Sequence, residues 1–150
     1  MELRENNARL MQTIKRFARF GFVGASGVVV DMGVLFLLAD PRTLGWGLSL
    51  SKTLAAETAI VNNFVWNDVW TFRDLSAGQA GWRARAGRFT KFNLICLAGI
   101  GFSVLLLNAQ VRMLHFNVYA ANFIAIFLVS LWNFWMNLKF GWRAGAGKAE

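Results

Sequence analysis

Four apolar stretches dominate this chain, each roughly the 20 residues that a helix needs to cross a bilayer. They run over 18–38, 48–70, 92–110 and 118–138. Hydrophobic residues make up 56% of the 150 and charged residues 16%, against about 25% charged in a soluble domain. A soluble chain this short has too much surface for its volume to hide so much apolar area. Lipid can cover it instead, and a helix satisfies its own backbone hydrogen bonds there. The expectation is one all-α domain over 1–150, an integral membrane four-helix bundle.

The second stretch is the least apolar, holding Lys52, Glu57, Asn62, Asn63, Asn67 and Asp68. A soluble amphipathic helix competes here, but the apolar neighbours favour a span whose polar face turns toward other helices. The first stretch follows a polar start with Arg4, Arg9 and Lys15, as in a signal peptide. Its full span length and the lack of a small-x-small cleavage site make it a retained helix.

The net charge of +8 is distributed against a nucleic-acid role, because the cations flank the apolar stretches. Arg4, Arg9, Lys15, Arg16 and Arg19 lead into the first. Arg73, Arg83, Arg85, Arg88 and Lys91 lie between the second and third, and Lys139, Arg143 and Lys148 close the chain. The other two loops hold Arg42 and Arg112. The positive-inside rule then puts both termini and the middle loop in the cytoplasm, with the protein in the cell (inner or plasma) membrane. The loops near Pro41 and His115 face outward. Trp46, Trp70, Trp82 and Trp142 fall near the expected interfaces, as aromatic belts do. Residues 73–88 read as a flexible basic loop, and the Ala/Gly-rich 144–150 as a disordered tail. Cys96 sits in an apolar run as a small hydrophobe, and His115 has no metal-ligand companions. With no catalytic triad or phosphate-cradling glycine loop, neither an enzyme nor a cofactor is expected.

The halves repeat one another. Arg16-Phe17-x-Arg19-Phe20 recurs as Arg88-Phe89-x-Lys91-Phe92, and Gly27 recurs as Gly99. Asn63-Phe64-x-x-Asn67-x-x-Trp70-x-Phe72-Arg73 recurs as Asn133-Phe134-x-x-Asn137-x-x-Phe140-x-Trp142-Arg143. Both halves start on the cytoplasmic side, so the bundle is two parallel two-helix repeats about an axis along the membrane normal.

These motifs resemble the GtrA-like family, with its Arg-Phe-x-x-Phe entry, its Gly-rich first helix (here Gly24 and Gly27) and its Asn-Phe-x-x-Asn-x-x-Trp-x-Phe close to each half. The resemblance covers 16–143. Glu57 to Arg73 is most similar to the membrane portion fused to some dolichol-phosphate mannose synthase-type glycosyltransferases. The chain departs from that branch in holding no glycosyltransferase segment, and from the motif in having Phe140 where Trp is usual. The resemblance implies cell-surface polysaccharide synthesis, with the chain as a translocase (flippase) or translocase subunit for polyprenyl-phosphate-linked sugars. An alternative is a membrane anchor that positions a separate glycosyltransferase partner. A second alternative is a proton-coupled small-molecule exporter, whose motifs the repeat does not fit. Four helices enclose little volume, so a homo-oligomer among membrane lipids is expected.

Asn63 and Asn67 are four residues apart and share a helix face, as do Asn133 and Asn137. They either bond between helices, at about 0.6 kcal/mol each, or line a polar path for a sugar or phosphate. Asp31 and Glu57 both lie roughly 20 Å from the cytoplasmic ends at 1.5 Å per residue, and could face one another. An acid at the bilayer centre costs about 2.5–3.5 kcal/mol, so it is rarely idle. The pair reads either as structural, with Lys52 able to neutralise one member, or as a polar, proton-carrying site. Their counterparts are Ser103 and Phe127, so such a site would be asymmetric. Arg16, Arg19, Arg73, Arg88, Lys91 and Arg143 ring the cytoplasmic mouth. They contact anionic head groups generically or capture a lipid phosphate, which arginine grips in bidentate fashion. Reporter fusions after Lys148 and near Pro41 are expected to report opposite sides of the membrane; the same side for both contradicts the four-span topology.

Overall fold

The computed structural model describes residues 2–142, and every regular element among them is helical. The chain divides into two compact units, Met1–Arg73 and Asp74–Glu150. In the first, α1 (Glu2–Ala39) turns back into α2 (Leu48–Trp66), which ends in a π-helical turn over Asn67–Thr71. A single helical turn, α3 (Arg73–Ser76), follows. In the second, α4 (Trp82–Arg112) turns back into α5 (Val118–Met136), which ends in a π-helical turn over Asn137–Gly141.

Three helical segments are long and apolar enough to cross a membrane: Arg4–Ala39, Trp82–Arg112 and Val118–Gly141. The expected second span is helical over Leu48–Trp66, but Lys52, Glu57, Asn62 and Asn63 keep it less apolar than the others. Two boundaries differ from those read in the sequence. The first helix starts at Glu2 rather than near residue 18, because Glu2 to Lys15 is rich in Leu, Arg, Glu, Ala, Met and Gln, all strong helix formers. At 38 residues it is about 57 Å long, nearly twice the bilayer's apolar thickness. The basic segment 73–88 is not one flexible loop. Helix resumes at Trp82, after Gly81 turns the chain with φ +105°, and its Arg and Ala residues favour that helix. The tail 144–150 and Arg143 lie outside the described residues.

The hairpin loops differ in how they reverse the chain. In the first, Asp40 binds Arg42 through both its backbone N–H and its guanidinium, the latter at 2.9 Å. This interaction holds the Asp40 carboxyl below its usual range. Gly45 supplies the positive φ (+61°) that the turn needs. The equivalent place in the second loop is filled by His115, at φ +55°. Asn117 then caps α5, its side chain accepting from the Tyr119 and Ala120 N–H groups at 2.9 and 3.4 Å.

Each hairpin buries the same positions. Ser51, Ala55, Phe64, Asn67, Thr71 and Phe72 are buried in the first; Ala121, Ala125, Phe134, Asn137, Gly141 and Trp142 in the second. Small residues at 51, 55, 121 and 125 let the helices close up. The entry motif meets the closing motif directly: Phe20 packs on Phe72 with ring centroids 6.3 Å apart, and Phe92 on Trp142 at 6.0 Å. The tightest point is a glycine under an asparagine. A Cβ at Gly27 would overlap the Asn63 amide, and one at Gly99 would stand 2.5 Å from Asn133 Oδ1.

Gly27→Ala should therefore lower stability despite the roughly 1 kcal/mol of helix propensity that alanine gains over glycine, since overpacking costs about 1–3 kcal/mol. Adding Asn63→Ala should recover much of the loss, a coupling of about 0.5–3 kcal/mol. Thermal unfolding in detergent measures both; strictly additive losses contradict the contact.

Candidate functional site

Polar groups line the contact between α1 and α2 in the first hairpin. Near one end, the Arg19 guanidinium lies 5.6 Å from the Trp70 ring centroid, with Nη1 3.5 Å from the Trp70 carbonyl oxygen. Further along, Asn62 Nδ2 donates to Ser26 Oγ at 3.3 Å, and Ser26 Oγ donates to the Val23 carbonyl at 2.7 Å. Beyond these, Lys52 Nζ donates to Asp31 Oδ2 at 2.6 Å. Arg19 and Ser26 fall near one face of α1, seven residues or about two turns apart, whereas Asp31, five residues beyond Ser26, lies about 140° around the helix and reaches α2 through Lys52. Asp31 is partly covered, with 22% of its side chain exposed, and Lys52 is more open at 55%.

Asp31 thus faces Lys52 rather than Glu57. Five residues along an α-helix carry Glu57 about 140° around from Lys52, and it is exposed. The ion pair foreseen for one of the acids is present; the meeting of the two acids is not. Asn63 is half-buried against Gly27, beside the seam.

Asn67 and Asn137 are 2% and 0% exposed, and each opens a π-helical turn. The Asn67 carbonyl accepts from Phe72 N–H at 2.8 Å, and that of Asn137 from Trp142 N–H at 2.9 Å. Asn137 Nδ2 also donates to the Asn133 carbonyl at 2.8 Å. Both side chains are enclosed in their own hairpins. The side-chain oxygens of Asn67, Thr71, Asn133 and Asn137 are buried with no hydrogen-bond donor among the described residues.

The cations separate into different environments. Arg88, expected at an open mouth, is 5% exposed, and its Nη1 donates to the Gln79 carbonyl at 3.0 Å. It ties the chain before α4 to the helix. Arg16 is half-buried, while Arg19, Arg73 and Lys91 are exposed. Arg143 lies outside the described residues.

Among the described residues the second hairpin shows no counterpart of these three contacts; its polar link between helices is Gln110 Nε2 donating to the Ala121 carbonyl at 3.4 Å. Where the first pairs Asn62 with Ser26, the second has Trp132 and Ala98, and Trp132 stacks on Phe102 with centroids 5.7 Å apart. Asp31 and Lys52 correspond to Ser103 and Asn122. Sequence reasoning missed the Ser26–Asn62 bond, the buried Thr71 and the π-helical turns. The repeated Asn spacing was the available signal for the turns, since it marks two identical local structures.

The model of the GtrA/DPMS transmembrane domain matches residues 19–142. The chain is 37% identical over 86 residues to a dolichol-phosphate mannosyltransferase of Pyrococcus furiosus; the match covers 57% of this chain and 22% of that protein. It is 34% identical over 99 residues to the uncharacterized membrane protein YngA of Bacillus subtilis, covering 65% of this chain and 60% of the relative. The chain therefore spans less than two thirds of the length of these relatives. With a family match over most of its length and three helices able to cross a bilayer, the chain is a membrane protein and belongs to the GtrA/DPMS transmembrane-domain family.

Proposed function

We propose that this protein moves polyprenyl-phosphate-linked sugars across the cell membrane, as a translocase or translocase subunit, in cell-surface glycan synthesis. The observation that carries this reading is the polar seam of the first hairpin. Arg19, Ser26 with Asn62, and Asp31 with Lys52 succeed one another over about 18 Å of helix axis. That is more than half of the roughly 30 Å apolar thickness. In this reading α2 crosses beside α1 in a four-helix arrangement of two parallel repeats. Both termini are cytoplasmic, and Arg19 lies at the cytoplasmic face. The sugar follows the seam while the polyprenyl tail stays in lipid. Glu57 is exposed, and an acid left against lipid is costly; in a homo-oligomer it would line a shared polar surface.

The relationship to a protein named dolichol-phosphate mannosyltransferase supports a lipid-linked sugar as cargo. It also favours a second reading, a membrane anchor that positions a separate glycosyltransferase. Transport separates the two. Reconstituted in vesicles with a fluorescent short-chain polyprenyl-phosphate sugar and no transferase, the wild type should exchange leaflets well above protein-free vesicles. Asp31→Asn with Lys52→Gln removes both charges together, which avoids stranding one of them. That variant should stay folded and slow exchange by about tenfold, equivalent to roughly 1.4 kcal/mol of barrier. Exchange no faster than in protein-free vesicles overturns the translocase reading in favour of the anchor.

A further inference from the structure

An apolar cleft opens in the first hairpin beside the start of the seam. Phe22, Val23, Ser26, Trp66, Val69 and Trp70 line a volume of about 460 Å³, well inside the range of small-molecule pockets, about 300–1,000 Å³. Phe22 and Trp70 meet edge to face with centroids 5.9 Å apart. Ser26 is the cleft's only hydroxyl-bearing wall residue, and its hydroxyl is already bonded to Val23 and Asn62, so the walls offer hydrocarbon. At the rim stands Arg19, exposed, held on the Trp70 ring and near its carbonyl oxygen. Neither contact neutralises the guanidinium. An aromatic slot with a cation at its mouth that has no acidic partner among the described residues fits an amphiphile with one hydrocarbon chain and a compact anionic head.

The second repeat has altered this place. Ser26, Trp66, Val69 and Trp70 correspond to Ala98, Met136, Lys139 and Phe140. Lys139 Nζ lies 5.4 Å from the Phe140 ring centroid. A charge thus stands where the first hairpin has an apolar wall, and one of the two tryptophans has become a flexible thioether.

We propose that the cleft holds the phosphate-proximal isoprene units of a polyprenyl phosphate, with Arg19 facing the phosphate, and that the first hairpin alone carries this site. The proposal rests on the lipid-linked-sugar reading above and locates where the carrier is gripped. Arginine grips phosphate oxygens in bidentate fashion, and the tryptophan faces give a branched chain broad contact.

The probe is a photoactivatable farnesyl phosphate, added to the full chain in nanodiscs, with labelled peptides mapped by mass spectrometry. Labelling should concentrate in 22–26 and 66–70. Farnesyl phosphate should compete for it, farnesol and dioleoyl phosphatidic acid should compete less well, and inorganic phosphate should not compete. Trp66→Met with Val69→Lys, which copies the second repeat, should reduce labelling by about tenfold, whereas Met136→Ala should leave it unchanged. Arg19→Gln, at an exposed position, should weaken competition by farnesyl phosphate but not by farnesol; this arm decides the matter if the double variant does not fold. Labelling shared equally with 94–98 and 136–140, or undiminished in the double variant, overturns the cleft and leaves the transport reading intact. Equal competition by phosphatidic acid overturns the isoprenoid assignment. No competable labelling anywhere overturns both.

Discussion

The glycine-on-asparagine contact is the constraint on which each hairpin depends. Apolar burial cannot hold two helices together in lipid, because lipid tails are as apolar as leucine; close packing and hydrogen bonds must do so. Gly27 and Gly99 have no Cβ, and the space is taken by the amides of Asn63 and Asn133. The amide can enter only where the partner helix has no side chain. The contact therefore fixes the register of α1 on α2 and of α4 on α5. Once that register is set, Phe20 meets Phe72 and Phe92 meets Trp142, and the small residues at 51, 55, 121 and 125 come under the facing helix.

On this duplicated frame the two hairpins have diverged. Polar side chains in a membrane helix are costly unless they meet partners or water. The first hairpin nevertheless keeps an ion pair, a serine–asparagine bond and a cation stacked on tryptophan along one contact. The second fills the equivalent space with the Phe102–Trp132 stack and shorter uncharged groups. Register is preserved in both, so the polar content of the first hairpin is not required by the packing scheme. That independence is the physical ground for assigning function to one side of a repeated scaffold.

Much of this was legible in the sequence because it rests on spacing. The Asn-Phe-x-x-Asn motif, its repetition, and the pairing of Gly27 with Gly99 can be read from residue intervals alone. The partner of Asp31 was harder, since depth along the helix axis suggested Glu57 whereas rotation about the axis selects Lys52. The start of α1 at Glu2 was hidden because apolarity marks where lipid begins, and helix propensity extends further. Arg88 looked like a free cation because nothing in a sequence shows that the Gln79 carbonyl folds back onto it. The π-helical turns, which bury Asn67 and Asn137, follow from a backbone hydrogen bond that side-chain periodicity does not encode.

The central claim is that a polar route runs through the first hairpin and not the second. Single cysteines placed in a Cys96→Ala background at Ser26 and Asn62, and at their counterparts Ala98 and Trp132, test it through reaction with a membrane-impermeant, water-soluble thiol reagent in intact vesicles. The account requires water to reach the first pair, so Ser26→Cys and Asn62→Cys react while Ala98→Cys and Trp132→Cys stay protected. Equal reaction at both pairs, or protection of all four positions, would contradict it.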